Sequence, residues 1–219
     1  MAESVVLLGL WVSPFVIRVR IALAEKGVEF EYKEQDLSSK STLLLQSNPI
    51  HKKVPVLIHN ERPICESLII VQYIDEVWTD GSSLLPKDPY QRANARFWAD
   101  YIDKKIIDAS SRIWKSKGEA KETAKKEFIE YLKLLEGELG DKPYFGGDTF
   151  GFVDVAFSAF CCWFYSLEIE GNFKMKEECP KLMDWVKRCM ERESVSKALP
   201  DQHKIYDFLG NLKKRLGLE

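Results

Sequence analysis

The chain has 219 residues, 45% hydrophobic and 12% aromatic, with 6 Trp. That is enough apolar material for one or two domains with a sizeable core, which excludes a wholly disordered chain. Lys plus Arg number 32 against 34 Asp plus Glu, a formal net charge of −2, which argues against a nucleic-acid binder because phosphate contacts need clustered basic residues. The start, Met1-Ala2-Glu3-Ser4, has no basic n-region, so no secretory signal is expected and the cytoplasm is the expected compartment. The stretch Val155 to Leu167 is fenced by Asp154 and Glu168. It falls short of the about 20 residues a helix needs to cross a bilayer, so no membrane span is expected. Cys161 and Cys162 are adjacent while Cys65, Cys179 and Cys189 are scattered, and His51, His59 and His203 show no ligand or triad spacing. Free thiols in a reducing compartment are expected, with no metal site and no Ser-His-Asp hydrolase.

In chain order, Val5 to Leu8 is a continuous apolar run, the pattern of a strand buried on both faces. Ser13-Pro14 then places an N-cap Ser before a Pro at the first helical position. Phe15, Val16, Val19, Ala22 and Leu23 share a helical face, and Gly27 follows as a C-terminal stop. Phe30 and Tyr32 alternate with Glu29, Glu31 and Lys33, a half-exposed strand. After a loop from Ser38 to Asn48, Val54 to Ile58 reads as a strand, His59 to Arg62 as a turn and Pro63 to Cys65 as the return of a hairpin. A helix over Leu68 to Val77 follows, with Ser67 as its N-cap. The order β-α-β, irregular helix, β-β-α is thioredoxin-like.

Gly81, Ser82, Ser83, Pro86 and Asp88-Pro89 mark a boundary. Beyond Tyr90 only helical periods appear. Ala93, Phe97, Tyr101, Ile102, Ile106, Ala109 and Ile113 form one stripe, broken at Lys117-Gly118. Ala124, Phe128, Leu132, Leu135 and Leu139 form a second. Phe152 to Leu167 is apolar nearly all round and predicts a central buried helix. Leu182, Trp185, Val186 and Cys189 predict a shorter helix after Pro180, and Ile205, Phe208, Leu209 and Leu212 a last one. The fold class is α+β: a βαβ-α-ββα domain followed by an all-α helical bundle domain.

Three points carry chemistry. Ser13 at a helix start either caps the helix or donates to an anion held at its positive end, and without a His partner it is a poor nucleophile. Val54-Pro55 is either an ordinary trans bond or a cis turn that presents the Val54 backbone to an extended peptide. Glu66-Ser67 is either a capping pair or a clamp for an amino acid's ammonium and carboxylate. Lys40 and Lys53 stand in flanking loops, each by itself an ordinary solvated charge.

Trp11-Val12-Ser13-Pro14-Phe15, Lys53-Val54-Pro55-Val56-Leu57 and Glu66-Ser67, followed by an all-α half whose long helix carries Trp98, together resemble the cytosolic glutathione S-transferases of the plant tau class. The resemblance covers essentially the whole chain. It implies a thioredoxin-like glutathione-binding domain over 1–78, a linker over 79–89 and an all-α domain over 90–219 that carries a hydrophobic electrophile site. Glutathione would be a co-substrate, with no other cofactor. Ser13 would stabilise its thiolate, Lys40 and Lys53 would neutralise the glycine carboxylate, and Val54 would pair with the cysteinyl backbone beside a cis Pro55. Glu66 and Ser67 would hold the γ-glutamyl end. Hydrophobic electrophiles would meet Leu10, Phe15, Leu37, Ile107, Ser111, Trp114, Trp163, Phe208 and Leu212. Gly151-Phe152-Val153-Asp154 matches the family's capping motif for the core helix. A homodimer is expected, with Glu76 of one chain meeting Arg92 and Arg96 of the other. The implied reaction is conjugation of the glutathione thiolate to electrophiles, with attack on a peroxide oxygen as a further outlet. A thiol transferase on the same fold needs Cys at position 13, and no Cys precedes Cys65. A non-catalytic carrier of hydrophobic ligands is the alternative from another class.

Overall fold

A computed structural model describes residues 4–218. The chain divides into two compact units, Met1–Leu85 and Pro86–Glu219.

The first unit runs β1 (Val5–Gly9), α1 (Pro14–Glu25), β2 (Glu31–Glu34), α2 (Thr42–Ser47), β3 (Val56–His59), β4 (Arg62–Cys65) and α3 (Ser67–Val77). The strand order is β2-β1-β3-β4, with β1 parallel to β2 and the other pairs antiparallel. This is the expected thioredoxin-like arrangement. Leu7 and Leu8 are fully buried, as an apolar run inside a sheet requires. Leu8 and Val56 pack with Leu44 of α2, while α1 and α3 pack on each other. Gly9 ends β1 where α1 and β2 converge. A Cβ there would lie 2.6 Å from Cγ1 of Val16 and 2.7 Å from Cε2 of Tyr32, so only glycine fits without displacement.

The first unit reaches Leu85, into the segment expected as linker. Asp75 of α3 holds that segment: its carboxylate accepts the N–H of Leu84 at 2.8 Å and of Leu85 at 2.9 Å. Lys26 pairs with Asp75 at 2.7 Å, both side chains almost wholly buried, and donates to the Ser82 carbonyl at 3.0 Å. Burial pushes the Asp75 carboxyl up, but Lys26 and the two backbone donors outweigh it and hold the carboxyl below its usual range.

Among the described residues, the regular structure of the second unit is helical, apart from an isolated bridge between Tyr144 and Gly147. It comprises α4 (Pro89–Tyr101), a π-helical segment (Ile102–Ile107), α5 (Asp108–Lys115), α6 (Gly118–Leu139), α7 (Phe152–Ser158), a 3-10 turn (Cys161–Trp163), α8 (Phe164–Gly171), α9 (Met175–Glu178), α10 (Pro180–Met190), α11 (Glu193–Ser196) and α12 (Gln202–Leu216). Asp88 caps α4 by accepting the Gln91 N–H at 2.9 Å, with Pro89 at the first position.

Two expectations change here. The stripe begun at Ala93 and Phe97 is out of phase: both are exposed, Phe97 at 58%, and the buried face runs through Ala99, Ile102 and Ile106. The expected single core helix is two helices joined by a 3-10 turn, in which Phe160 donates to Phe157 O and Trp163 to Phe160 O. Rings crowd this turn, with Phe164 5.8 Å from both Phe157 and Phe160. Taken together, Phe152–Gly171 is long and apolar enough for a bilayer by length and composition, contrary to the count from Val155 to Leu167, but 72% of its most apolar 18-residue stretch is buried inside the protein. Residues 151–160 are all buried.

Asp154 anchors this core. It accepts the Gly151 N–H at 2.9 Å, closing the helix start as the capping motif requires, and also the Phe145 N–H at 3.0 Å and the Trp185 indole N–H at 2.8 Å. Burial pushes its carboxyl up to about 6 against the pull of these donors.

Candidate glutathione site

Strand register gathers the candidate residues of the first unit. Leu8 pairs with Val56, Val56 with Cys65, and Gly9 with Glu34. The chain leaving β1 towards Ser13, the chain leaving β2 towards Lys40, the turn entering β3 at Val54-Pro55 and the chain leaving β4 at Glu66-Ser67 therefore share one end of the sheet. Backbone pairing thus directs four segments spread along 54 positions of sequence towards one end of the sheet.

Ser13 occupies the N-cap position of α1 and is half-buried. Its backbone is fully used: the N–H donates to Leu10 O at 2.9 Å, and the C=O accepts from Val16 and Ile17 at 3.0 Å each. Its hydroxyl makes no capping bond. The preceding turn is pinned by Glu34, which accepts the Trp11 N–H at 3.1 Å and the Tyr32 hydroxyl at 2.7 Å. Burial and the Glu34 charge push the Tyr32 phenol well above its usual range.

Lys40 is exposed and stands just before Ser41, whose hydroxyl caps α2 by accepting the Leu44 N–H at 3.1 Å and donates to the buried Gln35 at 2.6 Å. Lys53 is also exposed, and its carbonyl accepts from the amide of Asn48 at 3.0 Å. Asn48 is 3% exposed and accepts the His51 N–H at 3.1 Å, so it organises the whole loop from 48 to 53. The Val54–Pro55 bond is cis, as expected, with Val54 half-buried and Pro55 buried.

The reading of Ser67 as an N-cap is corrected. Glu66 takes that position with φ +69, and Ser67 is the first helical residue, buried. Its hydroxyl accepts a 3.2 Å bond from Arg18, a fully buried side chain on α1 whose guanidinium also lies 5.2 Å from the centre of the Phe15 ring. The Glu66 carboxylate points outward, 55% exposed, with the His51 imidazole 3.9 Å away. Cys65 beside it donates to Ser47 O at 3.7 Å, and burial together with the Glu66 charge pushes its thiol up, which disfavours the thiolate.

Arg18 and Asn48 were not singled out from the sequence. The signal for Arg18 was present: position 18 continues the stripe of Phe15, Val19 and Ala22, and a charge on a buried stripe needs a partner. Asn48 was marked only by the turn-forming Asn-Pro dipeptide.

The arrangement offers two helix N-termini, a free hydroxyl on one and a buried Arg-Ser pair at the other, with two exposed lysines and one exposed carboxylate. That set suits an extended ligand with several anionic groups and one cation. Leu10 and Phe15 are half-buried near this sheet end, and Leu37 is 38% exposed. In the second unit, Ile107 ends the π-helical segment, and Ser111 and Trp114 follow on α5 at spacings of four and three. Trp163 lies on the 3-10 turn, which packs against α12, the helix of Phe208 and Leu212. All six are half-buried. The hydroxyl of Ser111 donates to its own helix at Asp108 O, 3.0 Å away, and Lys115 covers one face of Trp114 at 4.9 Å.

Two family models match: Glutathione S-transferase, N-terminal domain, over residues 3–76, and Glutathione S-transferase, C-terminal domain, over residues 95–193. The chain belongs to the glutathione S-transferase family. It is 62% identical over 218 residues to the probable glutathione S-transferase parC of Nicotiana tabacum, covering 99% of both chains. It is also 62% identical over 216 residues to glutathione S-transferase 3 of Glycine max, again covering 99% of both. The crystal structure of rice GST1 in complex with glutathione matches with a TM-score of 0.94 at 51% identity, covering 98% of each chain. The tau class enzyme of mango, Mangifera indica, matches with a TM-score of 0.91 at 45% identity, covering 95% of this chain and 98% of that one. This chain is a tau class glutathione transferase, with glutathione as co-substrate.

Proposed function

We propose that this transferase holds glutathione along the sheet end described above and conjugates its thiolate to hydrophobic electrophiles. The Ser13 hydroxyl donates to the sulfur, assisted by the positive end of α1. The γ-glutamyl carboxylate lies at the N-terminus of α3 with Ser67, held by Arg18 behind it, and Glu66 takes the ammonium. Val54 pairs with the cysteinyl backbone, and Lys40 and Lys53 take the glycine carboxylate. Free thiols titrate near pH 8.5, so lowering the value by one or two units gives abundant thiolate at neutral pH, at about 1.4 kcal/mol per unit. One hydrogen bond to a charged acceptor plus a helix terminus supplies that much. The thiolate then attacks an electrophilic carbon: the sulfur lone pair forms the S–C bond as the leaving group departs with its electron pair.

The observation that carries this reading is the Ser13 hydroxyl, placed at the start of α1 and committed to no capping bond. Leu10, Phe15 and Leu37 are proposed as apolar neighbours of the thiol. Ile107, Ser111, Trp114, Trp163, Phe208 and Leu212 are proposed as the electrophile lining on the second unit. Residues 1–78 and 90–219 act as glutathione and electrophile domains, the active species is a homodimer, and the compartment is the cytosol. An assay with glutathione and an aryl halide tests the proposal. Turnover that falls sharply in Ser13→Ala supports it, and glutathione binding without turnover in the wild type makes the protein a carrier instead.

A further inference from the structure

We propose that His51 is an internal competitor for the ammonium end of glutathione, so that affinity for the co-substrate falls as the imidazole becomes charged. The inference rests on the reading of Glu66 as the ammonium partner. The imidazole Nε2 lies 3.9 Å from Oε1 of Glu66, and the two side chains are 52% and 55% exposed. That separation is an ion pair when the ring is protonated, and histidine is the side chain whose charge changes between about pH 5 and 8. The backbone on both sides of the contact is fixed. Asn48 accepts the N–H of His51 at 3.1 Å, and its carbonyl accepts the N–H of Lys52 at 2.9 Å. Glu66 stands at the entry to α3 with a φ of +69°, in the left-handed region that non-glycine residues seldom adopt. Glu66 stands across the contact, and Lys52 and Lys53 follow His51 in its own loop; all three are exposed. A substrate ammonium and a protonated imidazole therefore bid for one carboxylate. Because the pair is exposed, the effect is modest and reversible: about two- to fivefold in dissociation constant.

The test is calorimetric titration with S-methylglutathione, which has no thiol to ionise, at about pH 5.5 and about pH 7.5. Wild type is expected to bind about two- to fivefold more weakly at the lower pH. His51→Gln is expected to bind equally at both, at the tighter value, and His51→Lys to bind weakly at both. The same pH dependence in His51→Gln, a flat wild type, or tight binding by His51→Lys overturns the proposal. Glu66→Gln separates the two readings. If it binds S-methylglutathione as well as wild type, the assignment of Glu66 fails. If it binds weakly while His51→Gln keeps the wild-type pH dependence, only the role of His51 fails.

Discussion

Ser13 combines two properties: it holds the N-cap position of α1, and its hydroxyl makes no capping bond. Pro14 at the first position removes one orphan N–H from this helix start, and Val16 donates to the Ser13 carbonyl at 3.0 Å. Ser67 is the complementary case, with its hydroxyl bonded to a buried guanidinium, so it acts as a fixed part of the frame. Trp163 belongs to the same scale. It is half-buried on a turn whose neighbouring phenylalanines, Phe160 and Phe164, are buried. Flat electrophiles stack on indole, so Trp163→Ala is expected to raise the Michaelis constant for an aromatic electrophile several-fold while that for glutathione changes little. Steady-state kinetics with each substrate varied in turn decide this, and an equal rise in both constants places the electrophile elsewhere.

Among the elements, two carboxylates do structural work with opposite pH signs. Asp75 is held below the ordinary carboxylate range by Lys26 and two backbone donors. The stability it supplies is present above the unfolded carboxyl's value of about 3.9 and is lost as pH falls through the lower folded value. Asp75→Asn breaks a buried pair, at a cost of about 3 kcal/mol or more. In urea unfolding that deficit is expected to be largest near neutral pH and to shrink in acid. A deficit independent of pH contradicts the account. Asp154 is raised to about 6, so the stability linked to it is present below about pH 4 and lost as pH rises through about 6. Folding is expected to take up close to one proton between those values, and Asp154→Asn to abolish that uptake. Uptake that persists in the variant contradicts the assignment.

The sheet was legible because its signals are local: an apolar run, a Ser-Pro helix start, a hairpin too short to be anything else. Other features left no such trace. The spacing of Ile102, Ile106, Ala109 and Ile113 is what an α-helix gives, yet the first six residues of that stretch are π-helical. The positive φ of Glu66, which displaces Ser67 from the cap, has no residue-type marker because glycine is absent there. The Asp75 clasp joins α3 to backbone groups nine and ten residues further on and to Lys26 far back at the end of α1, a set of partners invisible to any period.

For the molecule as a whole, the expected homodimer makes a claim about charge. Arg92 donates to Pro86 O at 3.0 Å and to Lys87 O at 2.9 Å, so its guanidinium is positioned by its own chain. Glu76 is exposed at the end of α3. Reversing that charge, Glu76→Arg, is expected to shift sedimentation from dimer towards monomer at micromolar concentration, and a dimer unaffected by the change removes the ion pair from the interface. The central claim is that one hydroxyl at a helix start turns a bound tripeptide into a nucleophile. Its most direct measurement is the titration of enzyme-bound glutathione by thiolate absorbance in wild type and Ser13→Ala. The account predicts a bound thiol one to two units below the free value of about 8.5 in wild type, returning towards it in the variant while glutathione affinity changes much less. An unchanged titration of the bound thiol in Ser13→Ala would contradict it.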